Sequence, residues 1–443
     1  MTADPEAASE GTEGPTGTVL RRAPFSDNPN VGARGQRTQQ RILDAALRAF
    51  GEEGYHACSI DRITKLARCS RVSFYQYFSS KEDVFRHLAG QVARQVNAST
   101  EALGPVTPDL DGWTALRAWV ARHSEIYERY EPVYQAFQAA AESDEAIAGG
   151  SVRIGAHTVA LLRSRLATTT LPTRQVDPLI QLLLAGLTST HDITAILRSA
   201  APDAYPKDRV DDALADVIHR TMFGLQPDVN VHPPAPRRPP LLDFGTEMAD
   251  VLQREDEPPD LTAAGRRTLD ALLDAGAEVL VRRGFHRTRV DDVVTAAGVS
   301  HGAFYRYFDN KEELAQILAV RAIRRVSTAF AEIPDTPTGG SAGKDTALRV
   351  WLRRYNAAHS TETAVIRVWA DASLEDPILG DSAAAYDWGR RQLVRFLAPR
   401  DFGDVDTEAV VMVGLLGGFG ARERPAVTVD SAAYIIERGL LGR

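Results

Sequence analysis

The sequence predicts an all-α protein made of one unit of about 190 residues used twice in a single chain. Two observations carry that expectation. Apolar residues recur at steps of three and four, the period of helices with one buried stripe and not the alternation of a half-buried strand. Laid on itself at an offset of 230, the chain aligns Arg37 to Val96 with Arg267 to Val326 without a gap, and 20 of the 60 aligned positions are identical. Further on, Trp119 aligns with Trp351, Arg122 with Arg354 and Phe137 with Trp369 at an offset of 232, and Val176-Asp177 with Val405-Asp406 at 229. A repeat that long is a duplicated domain pair, not a solenoid period.

Taken in order, residues 1–34, rich in Gly, Pro, Ala and Glu, read as a disordered tail. Residues 35–97 form the first module. There Ile42, Leu43, Ala46, Leu47 and Phe50 share one helix face, and Gly54 ends that helix. Ser59 is placed to cap a short second helix carrying Ile60, Ile63 and Ala67, and the turn Arg68-Cys69-Ser70 leads into a third, Arg71 to Phe78, capped by Ser70. Two short helices joined by three or four residues make the helix-turn-helix layout, whose second helix enters a major groove. Residues 98–226 follow as a helical body, 227–262 as a Pro-rich, acidic linker that cannot hold a continuous helix, 263–326 as the second module and 327–443 as the second body.

The second module repeats the pattern with Leu272, Leu273, Gly276, Ala277 and Leu280 before Gly284, and Ser300 caps a reader running from His301 to Phe308. Two differences between the copies fall at helix ends. Arg68 stands where the second copy has Gly298, and a left-handed backbone there costs a non-glycine residue about 1 kcal/mol. Arg289 stands where the first copy has Ser59, which leaves Thr288 as the alternative cap. Each body, 111–226 and 344–441, reads as five helices. In the second, Gly414, Gly417, Gly418 and Gly420 crowd one segment, and glycine costs about 1 kcal/mol inside a helix unless a close backbone approach compensates. A tight helix contact is expected there.

Composition excludes several classes. With 44% hydrophobic and 25% charged residues the chain is neither disordered nor collagen-like. The most continuous apolar stretch noted, Val410 to Ala421, is short of the ~20 residues that span a bilayer. No positive patch precedes an apolar run near the start, and two cysteines make no disulfide framework, so the expectation is the cytoplasm and no membrane. Cys58 and Cys69 flank the second helix, on the order of 14 Å apart at 1.5 Å per residue, beyond disulfide reach. Net charge is −8, yet Arg34 to Ala98 holds 11 Lys+Arg against 6 Asp+Glu, and Ala264 to Val326 holds 11 against 8. Two basic islands in an acidic chain suit a polyanion met locally. Arg21-Arg22 and Arg237-Arg238, ahead of the two units, suit either a minor groove or a solvated tail.

The run Ile42-Leu43-Asp44-Ala45-Ala46, Phe50, Gly54-Tyr55, Ser59-Ile60, Ile63, Ala67, Ser70, Phe74-Tyr75-x-Tyr77-Phe78 and Lys81-Glu82 resembles the DNA-binding domain of the tetracycline-repressor (TetR) family. The second copy, with Ala297-Gly298-Val299-Ser300 at the turn, resembles it more closely. The resemblance implies three DNA-binding helices and a larger helical body that holds a small-molecule effector and supplies the dimer contact. It places Arg71, Val72, Ser73 and Gln76, with His301, Gly302, Ala303 and Arg306, toward the groove, and Tyr75, Tyr77, Lys81, Tyr305, Tyr307 and Lys311 at phosphates. Phe74, Phe78, Phe304 and Phe308 read as core, and Tyr77 and Tyr307 suit packing as well as phosphate contact. Arg71 and Arg306 suit guanine, whose O6 and N7 match a guanidinium fork. It also implies an effector cavity, of apolar or aromatic preference, near Trp119, Tyr127, Tyr134 and Phe137 in one body and Trp351, Tyr355, Trp369 and Trp388 in the other, although aromatic residues at helical spacing are more often ordinary core.

The resulting expectation is a double-stranded-DNA-binding transcriptional regulator, a ligand-responsive repressor by family habit, whose halves pair inside one chain as a pseudo-dimer and read an operator with unlike halves. No catalytic residue, metal site or cofactor is expected, because no phosphate loop, HExxH, CxxC or nucleophile elbow occurs and His123, His157, His191 and His219 lack ligand spacing. The alternatives are an enzyme that uses a pocket in a helical body, or a scaffold that has lost DNA binding.

Overall fold

The computed structural model describes residues 32–143, 145–166, 173–229, 261–334, 346–371, 382–418 and 425–443, and is helical with no strand among the described residues. The first module comprises α1 (Ala33–Glu53), α2 (Ile60–Ala67), α3 (Arg71–Tyr77) and α4 (Lys81–Ala102). Its body comprises α5 (Leu110–Ser143), α6 (Glu145–Arg165), α7 (Thr173–Ala200) and α8 (Lys207–Phe223). The second module repeats this as α9 (Ala263–Arg283), α10 (Val290–Ala297), α11 (His301–Phe304) and α12 (Lys311–Ala331). Its body comprises α13 (Ala347–Asp371), α14 (Ser382–Leu397), α15 (Val405–Gly417) and α16 (Pro425–Tyr434), which continues as a π-helical segment, Ile435–Leu440. The tail arginines, Arg237-Arg238 and most of the linker lie outside the described residues.

Helix ends follow side-chain chemistry. Ser59 Oγ accepts the Arg62 N–H at 3.2 Å, Ser70 that of Ser73 at 3.1 Å and Ser300 that of Ala303 at 3.3 Å, each filling an otherwise orphan donor. Arg68 adopts the left-handed backbone, φ 50 and ψ 48, as Gly298 does at φ 67 and ψ 31, so both turns keep one shape and the first carries the strain. Thr288 does not cap. Its hydroxyl donates to the Gly284 carbonyl at 2.8 Å, while the Asp292 carboxylate takes the Arg289 N–H at 3.0 Å. The second reader is also shorter than the sequence led us to expect: helix holds over His301–Phe304 and a turn continues through Tyr307, with Gly302 weakening the first turn.

In the first body α5 bends at Tyr130 (φ −115, ψ 19), two residues before Pro132, whose ring excludes the preceding turn's carbonyl. Counting across that bend gives the five helical segments expected of the first body; among the described residues the second has four. Pro132 also seats α1, because a Cβ on Gly51 would stand 3.1 Å from the proline Cγ.

Three apolar cores result. One fills the first module and takes in Ile126, Tyr130, Val133 and Ala136 of α5; a second fills the other module and takes in Val365 of α13. The third is shared by both bodies, running from Leu116 and Val120 through Leu182 and Leu187 to Val410, Met412, Leu416 and Ile436. At its centre α7 crosses α15, where a Cβ on Gly414 would stand 2.4 Å from Thr190 Oγ1 and 2.9 Å from the Gly186 carbonyl oxygen. Only glycine allows that approach, which accounts for the glycine-rich segment. The segment Gln175–Ala200 of α7, not Val410 to Ala421, is the one described helix long and apolar enough to cross a membrane, and 56% of its apolar window is buried inside the chain.

A fully buried ion pair joins the halves. Arg220 of α8 meets Glu408 of α15 at 2.7 Å and donates through Nε to the Gly439 carbonyl at 2.7 Å, while Arg400 also contacts Glu408 and both guanidinium groups lie 5.1 Å from the Phe402 ring centre. Two buried cations around one carboxylate make that carboxylate hard to remove. Glu408→Ala is expected to lower unfolding free energy by about 3–5 kcal/mol, read from urea denaturation, because it removes the carboxylate that Arg220 and Arg400 share and leaves Arg220 only Asp216 at 3.5 Å.

Candidate nucleic-acid interface and effector region

Each reader stands on its own module's core. Phe74, Phe78 and Phe304 are completely buried and Phe308 nearly so, which fixes the opposite face of α3 and α11 outward. On that face Arg71, Val72 and Gln76 are exposed, with Ser73 and Tyr75 half-buried beside them; His301, Gly302, Tyr305 and Arg306 are exposed, with Ala303 half-buried. Val72 is 72% exposed and Tyr305 57%, so two of the four exposed large apolar side chains among the described residues sit on the readers. Nothing in the chain's own packing asks for them there, and an apolar side chain in a major groove meets the thymine methyl.

The first residue of each reader is already paired. Arg71 Nε lies 3.2 Å from Asp61, and His301 Nε2 lies 2.7 Å from Asp291. Asp61 and Asp291 are equivalent at the 230-residue offset, so both modules hold the reader's first side chain against the helix before it. This orients Arg71 and also requires it to leave or share a carboxylate when it meets a base. Sequence reasoning missed these aspartates, although their identity in the two copies was visible.

Lys81 and Lys311, expected at phosphates, point inward. Lys81 Nζ donates to the carbonyls of Tyr55, His56 and Cys58 at 2.7, 3.2 and 3.2 Å and sits 4.5 Å from the Tyr55 ring centre. Lys311 Nζ donates to the Phe285 and Thr288 carbonyls at 3.0 and 3.1 Å, 4.4 Å from the Phe285 ring centre. An ammonium has three donors, and in Lys81 all three are committed to the loop that ends α1. Burial accordingly lowers the Lys81 ammonium below its usual range. Tyr307 is turned to structural use as well, its hydroxyl donating to the Gly265 carbonyl at 3.0 Å, and Tyr77 is buried. The N-termini of α4 and α12 are closed by their own side chains, Asp83 accepting Ser79 N–H at 2.8 Å and Glu313 accepting Asp309 N–H at 2.6 Å. Burial alone would raise the Asp83 carboxyl, but His87 and Ser79 outweigh it and hold it at about 2.

The two modules meet at equivalent residues. His56 and His286, which share the 230-residue offset, have ring centres 5.8 Å apart. Burial, then the positive charges of His286, Lys81 and Arg287, lower the His56 imidazole below its usual range.

In the first body Trp119 and Tyr127 are buried, and Tyr127 stacks on His191 at 5.2 Å and donates to Asp192. His123 stacks on His191 at 6.1 Å, and Ser124 links His191 to Asp211. Burial pushes the His123 imidazole down to about 4 and that of His191, with His123 beside it, to about 3. Next to Trp119 lies an apolar cavity of about 20 Å³, bounded by Leu116, Leu162, Ile180, Leu183 and Ile218. Phe137 is elsewhere: the bend at Tyr130 directs that half of α5 to the first module, where Phe137 packs 6.2 Å from Phe85. Tyr134 touches both regions, packing on that core with its ring centre 5.1 Å from that of Tyr127. In the second body Trp351, Tyr355 and Trp388 close around Phe330 at 6.2, 5.6 and 5.9 Å, an aromatic cluster in the shared core; the side chain of Trp369 lies outside the described residues. Cys58 and Cys69 are free thiols, the first raised by burial to about 11.

Residues 42–88 and 272–317 each match the family described as bacterial regulatory proteins, tetR family. The chain thus carries the tetR-family match twice, once in each module. Over 71 residues the chain is 35% identical to an uncharacterized HTH-type transcriptional regulator, YdgC, of Bacillus subtilis, covering 16% of this chain and 36% of that one. It is 34% identical over 104 residues to the HTH-type transcriptional repressor NicS of Pseudomonas putida, covering 23% and 48%. It is 26% identical over 114 residues to the HTH-type transcriptional repressor AcnR of Corynebacterium glutamicum, covering 24% and 58%. The chain therefore spans less than two thirds of the length of each of these relatives.

Two outcomes separate fold roles from contact roles in the TetR-type modules. Lys81→Met is expected to cost about 1–3 kcal/mol of stability by stranding carbonyls, while the slope of log affinity against log salt stays unchanged; a lost phosphate contact would flatten it by about 0.9. The His56–His286 contact is expected at full strength above the usual histidine pKa and lost as pH falls through it toward the depressed value, since protonation adds charge beside Lys81 and Arg287. Spin labels on the two modules should report their separation growing from pH 7.5 to 5.5, and His56→Gln should abolish that dependence.

Proposed function

We propose that this chain is a DNA-binding transcriptional regulator, a ligand-responsive repressor rather than an enzyme, in which one molecule does the work of a dimer. The observation that carries the reading is the pair of outward reader faces, Arg71-Val72 with Gln76 and His301-Gly302 with Tyr305 and Arg306, on modules whose bodies share one core. A symmetric dimer presents identical readers and therefore selects a palindrome. Here the readers differ in length and at Arg71/His301, Val72/Gly302, Ser73/Ala303 and Gln76/Arg306, sharing only Tyr75 and Tyr305 on that face, so the operator has unlike half-sites. Arg71 and Arg306 are assigned to guanine; Tyr75 and Tyr305 are assigned to phosphates.

The effector is assigned to the first body, where Trp119 lines the apolar cavity and meets His123, and Tyr127 stacks on His191; an apolar or aromatic molecule fits that lining. A cavity of about 20 Å³ holds no more than a water, so the effector must open the body to enter. It then acts through its different affinity for the open and closed arrangements. The repressor names of NicS and AcnR favour the same reading, for which the cytoplasm is the proposed compartment.

Selection from random DNA should yield a site with two different halves bound by one chain. Arg71→Ala should relax base preference in one half and Arg306→Ala in the other, each at about 1–3 kcal/mol. A palindrome read equally by both halves would overturn the unequal-reader assignment, and DNA affinity untouched by both variants would favour a scaffold.

A further inference from the structure

We infer that the two bodies are shaped to reject copies of themselves, so that a first body pairs only with a second body. This rests on the one-molecule reading above and adds a rule to it. The offset of 229 that aligns Val176-Asp177 with Val405-Asp406 carries Gly186 onto Leu415 and Leu179 onto Glu408. Gly186 and Leu415 are therefore equivalent positions, and they face each other at the α7–α15 crossing. A Cβ on Gly186 would stand 2.7 Å from Leu415 Cδ2, 3.0 Å from its Cγ and 3.2 Å from its Cα. The leucine is a knob, the glycine its hole, and the pseudo-two-fold axis passes between them.

Each self-pairing then fails for its own physical reason. Two second bodies would bring Leu415 against Leu415, where a Cβ alone on the facing residue already meets the leucine side chain at 2.7 Å and its Cα at 3.2 Å. Two first bodies would set Gly186 against Gly186, leaving a void, and would turn the fully buried Arg220 toward Leu179 in place of Glu408. Shape and charge reject the wrong pairing independently, one at the axis and the other beside it.

The test uses the crossing itself. Gly417 and Ser189 face each other there, with the Cβ that a side chain at 417 would carry 3.9 Å from Ser189 Cβ, close to the ~3.8 Å mean of disulfides. In the full chain, Ser189→Cys with Gly417→Cys is expected to oxidise to a crosslink within one 48.3 kDa chain. Ser189→Cys alone and Gly417→Cys alone are expected to give no covalent pair beyond that of the parent chain with its two native thiols. A two-chain covalent species from either single variant would show self-pairing and overturn this inference while leaving paired bodies intact. No crosslink in the double variant would overturn the pairing itself. The knob is tested by exchange: Gly186→Leu should lower the melting temperature by several degrees and Gly186→Leu with Leu415→Gly should regain most of it, whereas a single variant as stable as the parent would remove the hole.

Discussion

The crossing of α7 over α15 is the constraint on which the rest of the molecule depends. Helix axes usually stay 8–10 Å apart because side chains hold them off; here Gly414 admits Thr190 and the Gly186 carbonyl within contact of its own backbone. The buried Arg220–Glu408 pair beside it adds a penalty for any sliding, since a shift of one helical turn would part the charges in a medium that cannot screen them. The bodies are thus locked in one register. The modules ride on the bodies through α4 and α12, so the register of the crossing sets the distance and angle between the two readers.

Within each module the inward lysine performs a similar service on a smaller scale. Lys81 and Lys311 begin α4 and α12, and their ammonium groups gather the carbonyls of the loop between the first two helices. That loop is also where His56 and His286 meet across the axis. One cation therefore ties the start of the connecting helix, the end of the first helix and the module-to-module contact into a single unit, and the reader helix has little freedom to tilt independently.

Much of this was legible in the sequence, and the boundary between legible and illegible is physical. Ser59, Ser70 and Ser300 act as caps, Arg68 takes the left-handed turn, and the glycines of α15 mark a close approach, because each depends on a few neighbouring residues. Lys81 was illegible as a structural residue: a lysine at a helix start looks solvated, and only the folded loop reveals three carbonyls aimed at it. The body aromatics were illegible for another reason. Helical spacing puts Trp351, Tyr355, Tyr134 and Phe137 on inner faces, yet whether an inner face meets another ring or a cavity depends on the opposite helix. The bend at Pro132 was written in the sequence, but its consequence, the transfer of Phe137 from body to module with Tyr134 left bridging the two, was not.

That bend makes the two halves unequal in how a body addresses its module. In the first half Tyr130 at the bend receives the Gln95 amide at 2.7 Å, and Gln91 beside it donates to Gln40 of α1 at 3.1 Å, so α5, α4 and α1 are joined by neutral hydrogen bonds around a proline-weakened point. The 232-residue offset sets Glu362 and Ala364 opposite Tyr130 and Pro132. There the link is an ion pair, Arg325 to Glu362 at 2.6 Å, and no proline interrupts α13. A helix already short of one backbone hydrogen bond bends at lower cost than a continuous one. The first module is therefore braced by a bent helix and neutral hydrogen bonds and the second by an uninterrupted helix and an ion pair, so the two halves differ in how they are held as well as in what they can touch.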